Sequence, residues 1–377
     1  MQRLMLLILT AVGLLACNDT SSPTTADPVP NFGKSQPGVT ITSIGQAKES
    51  SQAEDVNDAG LVVGTRFVTP SRAFLWTPTQ PRGTAGTLQD LGTLGSTGAY
   101  AKAINNSGHA VGGTGDGAGV SRAFLWTKAG GMQDLGLAPN WTWATAMDIN
   151  ESGHVAGYAG TDVGDRAALW TVSVNAGGMV QVLGRESLGT LPDGANSVAF
   201  TVNNLGQAVG WAHYSASGPN RAVLWTRTPT GWMIEDLGVL PGDHVSGAYG
   251  LNDQGQVVGF SAPQQGCWHA VLWSTTDGKK TAMRALEAID ECSLEAQAIN
   301  NQGQVVGKSH TKSGLNATMW SLASDGSTAS IKDLGKLSGS ASSLGVGLSA
   351  NIDGVTQVAG WSSPSSGGLR ATLWTVR

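Results

Sequence analysis

Ala103-Ile104-Asn105-Asn106-Ser107-Gly108-His109-Ala110-Val111-Gly112 recurs along the chain in seven variant copies. Its first asparagine has counterparts at Asn57, Asn105, Asn150, Asn203, Asn252, Asn300 and Asn351, spaced by 48, 45, 53, 49, 48 and 51 residues. Three residues after each stands a glycine: Gly60, Gly108, Gly153, Gly206, Gly255, Gly303 and Gly354. A second glycine ends the apolar run that follows, at Gly64, Gly112, Gly157, Gly210, Gly259, Gly307 and Gly360. Then comes a tryptophan: Trp76, Trp126, Trp170, Trp225, Trp273, Trp320 and Trp374. A fixed period of this length marks a repeat architecture, in which each copy is one supersecondary unit.

Each copy reads as four short strands, a to d. In the second copy these are Ala101 to Asn105, Ala110 to Gly112, Arg122 to Trp126 and Met132 to Gly136. Asn-x-x-Gly predicts the a–b hairpin, with the asparagine side chain bonding nearby backbone and the glycine left-handed. Strand c is apolar at consecutive positions, as in Ala222-Val223-Leu224-Trp225, which predicts burial on both faces. The tryptophan stripe therefore reads as core. Four-stranded units of this length, sandwiched between neighbours, predict an all-β fold: a seven-bladed β-propeller of antiparallel blades. The last copy stops after strand c, at Ala371 to Arg377. Val39-Thr40-Ile41-Thr42-Ser43-Ile44-Gly45 matches the strand-d pattern that ends in Asp90-Leu91-Gly92. The N-terminal strand is thus expected to complete the last blade and close the ring.

Several of these motifs resemble the HAF family of extracellular repeats. The matching residues are Ala-Ile-Asn-Asn-Ser-Gly at 103–108, Arg-Ala-Phe-Leu-Trp-Thr at 72–77 and 122–127, and Asp-Leu-Gly-Thr-Leu-Gly at 90–95. The resemblance covers 39–377 and implies an extracellular, repeat-built protein. The family's His-Ala-Phe is Arg-Ala-Phe or a variant in most copies, and only His269-Ala270-Val271 keeps the histidine. It brings no catalytic residues to transfer.

Residues 1–16 read as a targeting segment: Arg3, then an apolar run from Leu4 to Leu15, shorter than the roughly 20 residues of a membrane-spanning helix. Leu14-Leu15-Ala16-Cys17 resembles the bacterial lipobox, which implies cleavage before Cys17 and lipidation of its thiol. Residues 17–38, rich in Ser, Thr and Pro, read as a disordered stalk. The expected location is the bacterial envelope, at the outer membrane or cell surface, with the lipid anchor holding a monomer to the membrane. Charged residues make up only 13% of the chain and the net charge is −5 with no basic block, which argues against nucleic-acid binding.

Uniform repeats leave chemistry to what departs from them. The b–c and d–a connections should share one face of the ring and vary, and variable loops on a rigid scaffold are where binding resides. Cys267 and Cys292 both fall there and are expected to form a disulfide, as exported cysteine pairs do. Trp141, Trp143 and Trp268 stand outside the repeat pattern, and His213, His244, His269 and His310 map to the same face. These are the candidate ligand residues. His109 and His154 occupy a turn-flanking position held by Gln207, Gln256 and Gln304 in other copies. Asp193 and Asp243 each follow a Leu-Pro turn and read as turn residues. No metal-ligand spacing, nucleophile elbow or phosphate loop occurs, so no cofactor is implied. The expected function is a non-enzymatic scaffold that binds a protein or glycan through the variable face. The alternative is a propeller hydrolase or lyase acting on polysaccharide through acids or histidines of that face.

Overall fold

The copies fold into seven four-stranded antiparallel sheets, each with its strands in the order a-b-c-d. The structure, a computed structural model, describes residues 37–45, 49–95, 98–116, 118–216, 218–365 and 367–377. The expected targeting segment 1–16, the lipid-attachment residue Cys17 and the stalk up to residue 36 lie outside the described residues. Blade 1 comprises Ser51–Val56, Val62–Arg66, Arg72–Pro78 and Gly86–Asp90. The inner strands of blades 2 to 7 are Ala99–Ile104, Trp143–Ile149, Ser197–Val202, Val245–Leu251, Glu295–Ile299 and Ser340–Leu348. The expected seven-bladed propeller is the fold observed.

The ring closes as the sequence predicts. Blade 7 takes strands a to c from Ser340–Leu348, Thr356–Pro364 and Arg370–Val376, and its outer strand is Val39–Ser43. Val39 pairs with Val376 and Ile41 with Trp374, and the Arg377 amide donates to the Gly38 carbonyl at 2.7 Å.

Packing explains why strand c repeats Leu-Trp. Neighbouring side chains on a strand point to opposite faces, so Leu meets the following blade and Trp the preceding one. Trp126 shares a core with Leu75 and Leu91, Trp170 with Leu125 and Leu135, and Trp225 with Leu169 and Leu188. Each of these indoles thus sits against one leucine from strand c and one from strand d of the preceding blade. At the closing seam Trp76 meets Leu373 and Ile44, so the N-terminal segment supplies the strand-d seat. The repeat tryptophans are 0–4% exposed. Full burial of a ring this size contributes about 5 kcal/mol gross.

Every inner strand carries a β-bulge at the same place, with the unpaired residue between Ala53 and Asp55 in blade 1 and between Ala248 and Gly250 in blade 5. The bulge pushes a carbonyl toward strand b. A Cβ at Gly64 would overlap the Gln52 carbonyl oxygen, and the equivalent glycine in every other blade meets the same obstacle. The second repeat glycine is therefore a consequence of the bulge.

The repeat asparagines form a circular ladder. Asn57 Nδ2 donates to the Asn105 carbonyl at 3.0 Å, and the pattern continues from Asn105 to Asn150, Asn203, Asn252, Asn300 and Ser349 at 2.7–3.2 Å. The last copy departs from the expected register, because Ser349 and not Asn351 occupies the repeat position. Its amide donates to Gln357 O at 2.9 Å, eight residues on, where the other copies span four. The seventh a–b turn holds an insertion, and Asn351 lies within it. Serine is too short to span the next seam, and Arg82 of blade 1 bridges it instead. Its guanidinium donates to Ser349 Oγ at 3.2 Å and to the Asp58 carbonyl at 2.9 Å.

Asn252 Oδ1 also accepts the amides of Gln254 and Gln256 at 3.1 and 3.0 Å. Asn252→Ala should therefore cost about 2–3 kcal/mol in urea unfolding. Asn351→Ala should stay within about 0.5 kcal/mol; equal losses would contradict the assignment of Ser349.

Candidate functional site

Two regions hold residues that the repeat does not explain: the loop face over blades 3 to 6, and the central channel.

On the loop face the Cys267–Cys292 disulfide forms, with Cα atoms 5.9 Å apart. It ties the b–c loop of blade 5 to the connection entering blade 6. His310 joins this knot through its backbone, its amide donating to the Cys292 carbonyl at 2.9 Å. Trp268 stacks on Phe260 with centroids 4.7 Å apart and planes 17° off parallel. Phe260 lies on strand b of blade 5, Gln256–Ala262, one residue past its repeat glycine. His269 opens strand c, and its Nδ1 lies 3.1 Å from the buried Asp243 carboxylate. Asp243 also closes the Leu-Pro turn, its amide donating to Leu240 O at 2.9 Å. The His244 amide donates to Ala262 O at 2.8 Å, and among the described residues its ring has no hydrogen-bond partner.

The other candidates lie apart from blade 5. Trp143 opens the inner strand of blade 3, half-buried and edge-on to Tyr158 at 5.4 Å. It fits because its partner strand carries Gly160, where any Cβ would strike the indole. His213 ends strand b of blade 4, stacked on Trp211 at 5.4 Å, and burial lowers its pKa. Trp141 is corrected: it is only 8% exposed and packs edge-on to Trp170 at 5.3 Å, inside the core between blades 2 and 3. It leaves its repeat position yet remains structural. His154 behaves as its turn position predicts, its Nδ1 lying 3.1 Å from Asn150 Nδ2 where Gln207 Oε1 meets Asn203 Nδ2 in the next blade.

Trp211 and Trp361 were not singled out from the sequence. Both follow directly on the strand-b glycine and are half-buried. That position reads Thr65, Gly113, Tyr158, Trp211, Phe260, Lys308 and Trp361, six residue types in seven copies beside an invariant neighbour. Variation at one fixed place inside a constant repeat was the available signal.

The channel is walled by the bulged residues: Glu54, Lys102, Met147, Phe200, Tyr249, Gln297 and Val346 all face a cavity of about 230 Å³. Lys102 Nζ lies 2.7 Å from Glu54 Oε1. Asp55 and Asp148 follow the bulges of blades 1 and 3. Each clasps the next blade, Asp55 accepting the Ile104 amide at 3.0 Å and Asp148 the Val202 amide at 2.8 Å. Burial raises the Asp55 pKa to about 7 and that of Asp148 to about 6, against the lowering effect of those amides. Phe200 meets Tyr249 at 5.3 Å, and Tyr249 meets Phe260 at 5.5 Å. An unbroken run of rings therefore leads from the channel wall to Trp268 on the loop face. Among the described residues no three His, Cys, Asp or Glu side chains gather closely enough to hold a metal ion.

No protein-family model matches the chain, and no curated protein sequence does. Solved structures share its fold at low identity. The acylaminoacyl peptidase of Pyrococcus horikoshii aligns with a TM-score of 0.54 and 11% identity, over 86% of this chain and 51% of that one. The chain thus spans about half the length of that enzyme. The PQQ-bound aldose sugar dehydrogenase of Streptomyces coelicolor aligns at 0.40 and 12%, over 78% and 99% of the two chains. Trypanosoma rangeli sialidase aligns at 0.43 and 10%, over 90% and 60%. These likenesses concern the fold alone.

The channel carboxylates give stability a defined pH dependence. An aspartate in the unfolded chain titrates near 3.9, so the folded ring holds these protons more tightly. Their contribution is complete below about pH 4 and is lost as pH rises through 6 and 7. The unfolding free energy from urea titration should fall from pH 5 to pH 8 by about 1 kcal/mol or more, roughly the worth of one pKa unit. Asp55→Asn should flatten that slope; an unchanged slope would remove Asp55 as its source.

Proposed function

We propose that the chain is an exported, lipid-anchored and non-catalytic scaffold that binds a glycan on its b–c/d–a face, centred on blade 5. The observation that carries this reading is the stacked Phe260–Trp268 pair, braced next to the Cys267–Cys292 bridge. The buried Phe260 ring backs the half-buried Trp268 indole; an indole held in this way can take a sugar ring at little entropic cost, and a few polar groups fix orientation. Asp243–His269 supplies such groups next to Trp268. Trp143, Trp211 and Trp361 extend the aromatic surface on other blades.

A flat protein partner fits this face less well. Among the described residues, its exposed large apolar side chains, Phe67, Val163, Tyr214 and Ile289, each belong to a different blade.

The anchor proposed at Cys17 agrees with this orientation. Val39 pairs with Val376, at the end of strand c that leads away from the b–c loops. The chain therefore enters the ring from the short-turn side. An anchor at Cys17 would thus leave the loop face directed away from the membrane. The HAF-like motifs support the same extracellular placement.

Affinity electrophoresis in soluble polysaccharides should identify the ligand class. Trp268→Ala and Trp143→Ala should each weaken binding about tenfold, the equivalent of about 1.4 kcal/mol. Changing Cys267 and Cys292 together to serine should cost about 3 kcal/mol of stability and weaken binding further. Undiminished retention by a Trp143, Trp211, Trp268 triple alanine variant would overturn the proposal.

A further inference from the structure

We propose that the central channel is a second, separate site, which takes a small organic cation: an ammonium or guanidinium group on a short apolar body. It would lie against the Asp55 and Asp148 carboxylates and the Phe200 and Tyr249 rings, all of which line the cavity.

The charge pattern of the wall supports this. Glu54 is answered by Lys102 at 2.7 Å, so those two charges cancel. Asp55 and Asp148 face no basic side chain within ion-pair distance among the described residues. They hold only backbone amides, two each: Asp55 those of Val56 and Ile104, Asp148 those of Ile149 and Val202. Burial raises the pKa of both, and the nearby Asp148 charge adds to the rise at Asp55. The cavity is short of positive charge, and a bound cation would supply it.

The aromatic part of the wall suits the rest of such a ligand. Phe200 and Tyr249 both line the cavity and meet each other edge to face, at 63° with centroids 5.3 Å apart. Aromatic faces attract cations, most strongly where water is excluded. A cavity of about 230 Å³ has room for a ligand of several heavy atoms, since one water occupies about 30 Å³ in the liquid.

A third observation comes from comparing copies. The residue before each bulge is alanine in six blades and glycine in the seventh, as at Ala53, Ala146 and Gly345. The bulged residue itself differs in every blade. Plugging a channel needs only the same apolar side chain repeated. Seven different side chains around one cavity, with opposite charges paired and two carboxylates left over, describe a shaped site.

Calorimetric titration of the full chain with n-butylammonium chloride, and with n-butanol as the neutral control, tests this. Butylammonium should bind at pH 8.0 and butanol should not. Affinity should fall at least tenfold at pH 5.5, as Asp55 and Asp148 take up protons. The other titratable groups facing them are Glu54, Lys102, Glu151 and the Tyr249 hydroxyl. Asp148→Asn and Phe200→Leu should each weaken binding about fivefold or more. Lys102→Met frees Glu54 and should tighten it several-fold, a gain that a damaged fold would not produce. Equal heats from butanol and butylammonium, equal affinity at the two pH values, or no gain in Lys102→Met would overturn the proposal. Polysaccharide retention measured on the same variants reads the loop face separately.

Discussion

One indole seated against two aliphatic side chains of the preceding blade is the contact on which the ring depends. It recurs at each seam with the same partners, one residue from strand c and one from strand d. No blade can bury its own tryptophan, since a single sheet offers nothing to cover it. The fold is therefore cooperative around the circle, and an open arc would leave one Trp and one Leu row in water. Closure through Val39–Ser43 follows from this need: Ile44 fills the seat at the last seam that leucine fills elsewhere. The outer edge of blade 7 is covered at the same time.

The inner strands solve a different problem. Seven strands converging on an axis crowd their backbones, and a bulge in each relieves the crowding by letting one residue turn into the channel. That residue is released from pairing and from packing between blades, so its identity is free to vary. The glycine opposite is not free, because the displaced carbonyl occupies the place of its Cβ. Structural constancy and chemical diversity thus sit one strand apart. The asparagine ladder below the bulges fixes each blade against the next. Its one defect, at Ser349, is repaired by Arg82 reaching across the closing seam.

The legibility of the site follows from how each residue relates to the repeat. Trp143 and Trp268 were visible because they interrupt it. Trp141 interrupts it as well but folds back onto Trp170, and nothing in linear sequence separates the two outcomes. Trp211 and Trp361 lie within a strand and resemble core until the adjacent glycine is tied to the bulge. Asn351 imitates the repeat motif in the right neighbourhood, and only the hydrogen bonds of Ser349 reveal the insertion. The serines that lock strand c of one blade to strand a of the next were also unread. Ser197 and Ser246, for instance, accept the amides of Ala167 and Ala222 at 3.0 and 2.9 Å.

By itself the sequence determined the number of blades, the strand order within them, the closing strand and the cysteine pair. All of these follow from short-range periodicity, which local backbone preference and alternation of faces translate directly into structure. Only the tertiary structure decided which side chains meet around the axis. The repeat aligns the bulged residues, since Glu54, Lys102, Met147, Phe200, Tyr249 and Gln297 each stand three residues before a repeat asparagine, but they have no common type and nothing in the linear pattern says that this position turns into the channel. Their meeting is a product of ring closure, which brings to one cavity residues that share nothing but their place in the blade.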